Sequence, residues 1–296
     1  GLTVATWTIW ILASAFFLAL YDLAKKASVR SNAVLPVLLC STSFGCAAFV
    51  STVALRGDLA AMLSPGGRVL VLAALKSLIV SVSWIFTFKG LRTLPISIAT
   101  PIRASAPALV FVVAFFLYGE MPGIIQAIGM LLVFFGYFVF SWAGKHEGID
   151  FLRNRAIWCA FAGAFFSAVS AVFDKYVFQV AGAPVEATQF WFQVFLVVCY
   201  GLFLLSGRIM GLSHDRFEWR WTIPFVGILL TAADWLYFNG LELPNVPISA
   251  CSLLRRFSVV ITFVLGAHLF HETNLLRKGI ALLVIVTGVI FLCIGG

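Results

Sequence analysis

Charge is what this chain has least of. Asp, Glu, Lys and Arg make up 11% of its 296 residues, far below the quarter or so typical of a soluble domain. With 62% hydrophobic residues and a mean hydropathy of +1.05, the chain is built for a bilayer. Long polar stretches are also missing. Only the connections 56–68, 144–155 and 207–219 are of any length, which leaves no room for a hidden extramembrane domain, so function must sit within the helices. There is no H-E-x-x-H, no G-x-S-x-G and no phosphate-cradling glycine loop, and the 24 glycines are scattered at packing positions. These absences argue against an enzyme and against a bound cofactor. Cys40, Cys46, Cys159, Cys199, Cys251 and Cys293 all lie in apolar stretches without a C-x-x-C pair, and His268 and His271 have no further ligands at metal spacing, so no metal centre is expected.

Cutting the chain where charge, Pro and Gly interrupt it leaves apolar stretches near 5–24, 33–55, 69–88, 95–118, 123–143, 156–176, 187–206, 220–240, 247–270 and 277–295. Each is roughly 18 to 24 residues, about enough to cross the hydrocarbon core. The first lacks a basic leader and a small-residue cleavage site, so it reads as a span and not as a signal peptide. The net charge of +8 forms no continuous basic stripe, which argues against nucleic acid as a partner. The basic residues instead follow the odd-numbered stretches (Lys25, Lys26, Arg30, Lys89, Arg92, Lys145, Arg153, Arg155, Arg208, Arg216, Arg220, Arg277, Lys278), while the even ones are followed by Arg56, Arg68 and Lys175. The positive-inside rule then places the odd connections in the cytoplasm and both termini outside, in what reads as a bacterial inner membrane. The charged run 214–220 is expected to be a solvated loop.

The chain matches itself at an offset of about 150 residues. Ala13, Ala15, Phe16, Phe17, Ala19 and Lys26 recur as Ala162, Ala164, Phe165, Phe166, Ala168 and Lys175. Phe88, Gly90 and Leu91 recur as Phe238, Gly240 and Leu241, and Pro95-Ile96-Ser97, Arg103, Glu120 and Gly136 as Pro247-Ile248-Ser249, Arg255, Glu272 and Gly288. The expected fold is an all-α membrane protein of ten transmembrane helices in two five-helix repeats, 1–148 and 149–296. Five being odd, the second repeat enters from the opposite side, so the repeats are inverted and the arrangement suits alternating access to a central site.

Arg103 and Arg255 lie too deep in their stretches for easy snorkelling, and a buried arginine usually lines water or meets an anion. They are expected to share one central site; the bland alternative is a structural cation held by carbonyls or by Asp234. Arg256 follows one residue on, and two guanidiniums suit bidentate grip of a phosphate or carboxylate. Lys25 and Lys26 belong either to this site or to a solvated helix end. Lys76 either lines the cavity or snorkels. Asp234 reads as the one carboxylate deep within a span, placed to neutralise an arginine, bind a proton or hold an amino group, with Trp235 and Tyr237 close by in sequence. Trp84 is either a wall of the pocket or a packing residue. Glu120 and Glu272 are expected to favour the N-termini of the helices that follow them.

With ten helices, an inverted repeat and a Gly-Glu closing the fourth, the chain resembles the drug/metabolite transporter superfamily, of EamA-like type, over its whole length. Locally, TPIRASAP at 100–107, LRRFSVVITF at 254–263 and YDLAKK at 21–26 are similar to substrate-binding segments of the triose-phosphate and nucleotide-sugar translocators. The resemblance implies that Arg103, Arg255 and Arg256 grip a phosphate-like anion with Lys25 or Lys26 assisting. Arginine replaces the family's lysines, Ala106 stands in place of a glutamate, and Trp84 in place of a histidine, so the rest of the ligand differs. The expected function is a secondary transporter or antiporter of a small anionic metabolite (phosphorylated, phosphonate or carboxylate), with membrane lipids and protons or a counter-substrate as further partners, acting as monomer or dimer. The alternatives are an amino-acid or drug exporter using Asp234, and a lipid-phosphate carrier flippase.

Overall fold

The computed structural model describes residues 2–106, 108–109, 121, 123–145, 147–211, 215–243, 255 and 257–294. Every regular element among them is helical. In order they are α1 (Leu2–Val29), α2 (Val34–Arg56), the short α3 (Leu59–Leu63), α4 (Gly67–Thr93), α5 (Ile96–Ala104), α6 (Ile124–Lys145) and α7 (Arg155–Lys175), which runs on into a π-helical turn (Tyr176–Val180). Then come α8 (Val185–Ile209), α9 (Thr222–Glu242), α10 (Phe257–Leu269) and α11 (Leu275–Ile294). Thr6–Val29, Val34–Arg56, Gly67–Thr93, Arg155–Phe178 and Val185–Ile209 are long and apolar enough to cross a membrane, and Ile124–Gly136 and Ser258–Leu269 are shorter apolar helices. Residues 107 and 110–118 of the expected fourth span, and the start of the ninth with Pro247, Ile248 and Ser249, lie outside the described residues, as do Glu120, His214, Cys251 and Arg256.

The helices begin and end where local chemistry dictates. Asn154 accepts a hydrogen bond from the Ala156 amide at 2.9 Å and so caps α7. Gly57, at φ 83°, closes α2 in the left-handed region that favours glycine. Apolar side chains then cover the helices on all sides, as befits a lipid-facing bundle: Ile9, Phe16, Leu131, Phe138 and Leu283 are exposed, while Ile11, Val37, Ala73, Leu196 and Ile285 are buried.

The two halves interlock. The helix α1 packs on α9, α4 on α7, and α6 on α11, each pair antiparallel. Along α1 and α9, Gly240 lies beside Trp10 and Ile11, the Ser14 hydroxyl donates to the Ala233 carbonyl at 2.6 Å, and Ser28 bonds Thr222 at 2.6 Å. Along α4 and α7, Gly90 lies beside Ala156 and Ala160, Ser83 donates to the Gly163 carbonyl at 2.8 Å, and Lys76 meets Asp174. Gly90 and Gly240, equivalent in the two repeats, thus do the same work, since absence of a side chain lets one helix seat against another. The pair α6 and α11 uses Gly136 against Ile285 and Gly288 against Val133 in the same way.

Polar ties close one face of the bundle. The segment before α9 is an exposed loop over 215–219, as its charges predict, and it is also tied to the helices. Arg220 donates to the carbonyls of Ala27 at 2.9 Å and Arg30 at 2.7 Å, Asn32 exchanges two hydrogen bonds with the Glu218 backbone, and Arg92 pairs with Asp215. On the opposite face Arg56 pairs with Glu186 at 3.2 Å and the Trp191 indole donates to the Met62 carbonyl at 3.1 Å.

Candidate functional site

Two clusters of buried charge stand out among the described residues, apart from Lys26 and from Lys278, which pairs with Glu147 at 2.8 Å. The first lies where α1 and α5 meet α10. Asp22 is 1% exposed; Arg103 engages both of its oxygens, Lys25 adds a 3.1 Å ion pair, and the Thr262 hydroxyl donates to Oδ2 at 3.3 Å. Two cations therefore share a single carboxylate, and the group carries a net charge of about +1 in ordinary protonation states. The Lys25 ammonium also lies over the Tyr21 ring at 4.5 Å and the Phe88 ring at 5.6 Å.

The second cluster lies toward the other end of the bundle. Arg255 pairs with Asp234 at 3.1 Å and lies over the Tyr237 ring at 4.0 Å. Lys76 and Asp174 form their own buried pair, with the Lys76 ammonium over Phe192 and Phe238.

Two pockets adjoin these clusters. A central one is lined by Tyr21, Ser41, Thr42, Trp84, Phe88, Phe192, Gln193, Thr231 and Asp234 among others. A second is lined by Asp22, Lys25, Thr87, Leu91, Ile96, Ala99, Arg103 and Ala160. Tyr21 and Asp22 are consecutive in α1, and Thr87 and Phe88 in α4, so the two pockets lie against different sides of the same two helices.

Several expectations need correction. Arg103 and Arg255 do not line one pocket: Arg103 lines the second, and Arg255 lines neither. The arginines are equivalent in the repeat, but their carboxylates are not, because Asp22 comes from α1 and Asp234 from α9. Asp234 is not the sole deep carboxylate, since Asp22 and Asp174 are buried at 1% and 8% exposure. Lys25 and Lys26 do not sit at a solvated helix end, because α1 continues past them to Val29. Lys26 is held by the Leu91 and Leu94 carbonyls, both at 2.7 Å, at the end of α4. Glu272 does not serve the helix that follows it. Its two oxygens accept from the Ile96 amide at 2.7 Å and the Ser97 amide at 3.1 Å, so it caps α5 in the other half.

Other candidates separate cleanly. Trp84 lines the central pocket, edge-on to Phe192 at 6.4 Å. Trp235 packs against Trp10 at 5.5 Å and under the Arg56 guanidinium at 5.2 Å, lining neither pocket. Sequence reasoning missed Asp22, Asp174, Gln189, Gln193 and Thr231. The i, i+4 repetition of Gln189 and Gln193 in an otherwise apolar stretch was the available signal, since it puts both amides on one helix face.

A solved crystal structure is similar over 97% of this chain and 96% of its own, with a TM-score of 0.65 and 18% identity, a likeness of fold alone. No curated protein matches the sequence significantly. The sequence model of the EamA-like transporter family matches twice, over residues 5–142 and 154–294, so each half of the chain carries one copy of the family's unit. An all-helical, strongly apolar chain with buried charges beside two internal pockets is what such a membrane transport protein requires, and the chain belongs to the EamA-like transporter family.

Proposed function

We propose that the chain is a secondary transporter or antiporter of a small organic anion, working by alternating access through ten spans in two inverted five-helix repeats of a bacterial inner membrane. The observation that carries this reading is the sharing of Asp22 by Lys25 and Arg103 at the second pocket. A buried excess of positive charge is costly unless an anion arrives to meet it. Arg103 and Lys25 receive the phosphate, phosphonate or carboxylate. Arg255, whose buried Nε has no acceptor among the described residues, and its neighbour Arg256 receive it at the other end of the path.

The twofold match of the family's unit supports alternating access. In this reading bundles built from both halves rock so that Arg103 and Arg255 are exposed in turn. Reconstitution in liposomes with labelled phosphates, phosphonates and carboxylates tests this. Uptake of at least one anion is expected to fall tenfold or more in Arg103→Ala and in Arg255→Ala, with folding checked by thermal unfolding. Unchanged uptake in both variants defeats the assignment. Competition by cationic amines but not by anions favours an amine exporter, and transfer of lipid phosphates between leaflets favours a flippase.

A further inference from the structure

We infer that one face of the bundle is a docking surface for anionic phospholipid headgroups of the adjoining leaflet. Trp142 (52% exposed), Trp158 (57%), Trp219 (44%) and Trp221 (78%) stand at the end of α6, the start of α7 and the entry to α9. Polar contacts join these ends into a single surface. Asn32 of the α1–α2 turn donates to the Glu218 carbonyl, Asp215 pairs with Arg92 at the end of α4, Glu272 caps α5, and Thr273 donates to Glu147 just past α6 at 3.2 Å. The other tryptophans turn inward. Trp7 is buried, Trp191 donates to the Met62 carbonyl, Trp235 packs against Trp10 under the Arg56 guanidinium, and Trp84 lines the central pocket.

An exposed tryptophan of a membrane protein lies at headgroup level, where its ring meets apolar chains and its N–H meets polar groups. The neighbours of these four fit that depth. Trp158 donates to the Leu152 carbonyl at 3.0 Å, and Leu152 is itself exposed. Trp219 lies against Phe44 at 6.0 Å and Trp221 at 5.8 Å, an aromatic shelf beside exposed Phe225. The Arg277 guanidinium covers the Trp142 ring at 4.5 Å, next to exposed Phe138 and Leu276. Aromatic belts ordinarily mark both boundaries of a membrane protein. Here the exposed tryptophans mark one.

Charge then selects the lipid. The carboxylates of this face are already engaged, Asp215 by Arg92, Glu218 by Arg220, Glu147 by Lys278 and Asp150 by Arg153. Arg30, Lys89, Lys145, Arg155, Arg208 and Arg216 are exposed and, among the described residues, meet no carboxylate. Arg155 lies one turn before Trp158 on the same side of α7, and Arg216 three residues before Trp219. On the opposite face Arg56 is paired with Glu186, and exposed Asp58 and Glu242 offset Arg68. A zwitterionic headgroup brings its own cation and leaves the excess of positive charge unmet, whereas an anionic one neutralises it. A soluble anion would use the arginines but not the rings. The occupant that uses both is an anionic phospholipid, on the face that the distribution of Lys and Arg assigns to the cytoplasm.

Tryptophan fluorescence of the full chain in lipid nanodiscs tests the inference. The discs hold equal parts of phosphatidylcholine and phosphatidylglycerol, with bromine quenchers near the top of the acyl chains of one lipid or of the other. Quenching is expected to be about twofold stronger or more when phosphatidylglycerol carries the bromine, and the difference should shrink in high salt. Replacing the four exposed tryptophans by Phe should remove the difference. The triple variant Arg155→Gln, Arg216→Gln, Arg277→Gln should remove most of it, whereas Arg68→Gln on the opposite face should leave it intact. Equal quenching by the two lipids in the wild type overturns the docking surface, as does a preference undiminished in the folded triple variant or abolished by Arg68→Gln. If the triple variant does not fold, the salt series on the wild type decides, and a preference indifferent to salt overturns the inference.

Discussion

Arg103 holds Asp22 with two guanidinium nitrogens, one on each carboxylate oxygen, whereas its repeat equivalent Arg255 holds Asp234 with one. The same cation at the same depth is thus locked in one half and half-committed in the other. Breaking a buried pair from one side leaves an uncompensated charge, which costs about 3–5 kcal/mol. Asp22→Asn is therefore expected to lower the thermal unfolding midpoint well below that of Asp234→Asn. The double variant Asp22→Asn with Arg103→Gln should recover part of the loss, and strictly additive losses would contradict the pairing.

Lys26→Met should destabilise the fold without altering which solutes bind. Its ammonium closes the end of α4 by meeting the Leu91 and Leu94 carbonyls. Leaving such buried acceptors unmet costs about 1–3 kcal/mol. Denaturation in detergent, together with binding of ethylphosphonate, separates this structural role from a direct grip on the ligand, which would weaken binding as well.

Glu272→Ala removes both oxygens that meet the Ile96 and Ser97 amides, a cap worth about 0.5–2 kcal/mol. Glu272→Gln keeps one acceptor and should fall between the wild type and Glu272→Ala. If the two variants are equally stable, Glu272 is not the cap of α5.

Gly90→Ala should cost more than Gly240→Ala, although the two glycines are repeat equivalents. A methyl group at Gly90 would lie 3.0 Å from the Ala156 carbonyl oxygen and 3.1 Å from the Ala160 nitrogen, both backbone. At Gly240 the nearest atoms are side-chain carbons and not backbone, the tip of Ile11 at 3.0 Å and the Trp10 Cβ at 3.2 Å. Overpacking that backbone cannot relieve costs about 1–3 kcal/mol. Thermal midpoints of the two variants decide it.

Exchanging the charges of Arg56 and Glu186 should change stability by no more than about 1 kcal/mol, because the pair is partly exposed at 47% and 30%. A large loss in the swapped variant would mean that this contact, and not only the cluster around Asp22, holds the bundle together.

What the sequence reveals here and what it hides follow from physical range. Arg103 and Arg255 stood out because a cation interrupts an apolar run, and the repeat made each a witness for the other. Gly90 and Gly240 were visible in the same way. Asp22 was not, because it sits three residues before Lys25 in what reads as a charged helix end. Nothing local says that its main partner is Arg103, on a different helix. Gln193 and Thr231 escaped notice because uncharged polar residues hardly disturb hydropathy. The destination of Glu272 was missed because a carboxylate at a chain turn has two helix starts within reach, and only the packing of α10 on α5 decides between them.

The cross-half pairing also bears on how the molecule is made. During synthesis α1 emerges long before the helix it packs along, α9, which begins only at Thr222, and α4 waits for α7. Most of the chain must leave the ribosome before the first helix finds its partner. Until then its glycine-seated flank and the buried charges Asp22, Lys25 and Lys26 lie beside lipid or an insertion chaperone, and late assembly of this kind invites misfolding. A truncated first half would reach the membrane as helices without their mates, so the nascent chain becomes a transporter only once its second half has been made.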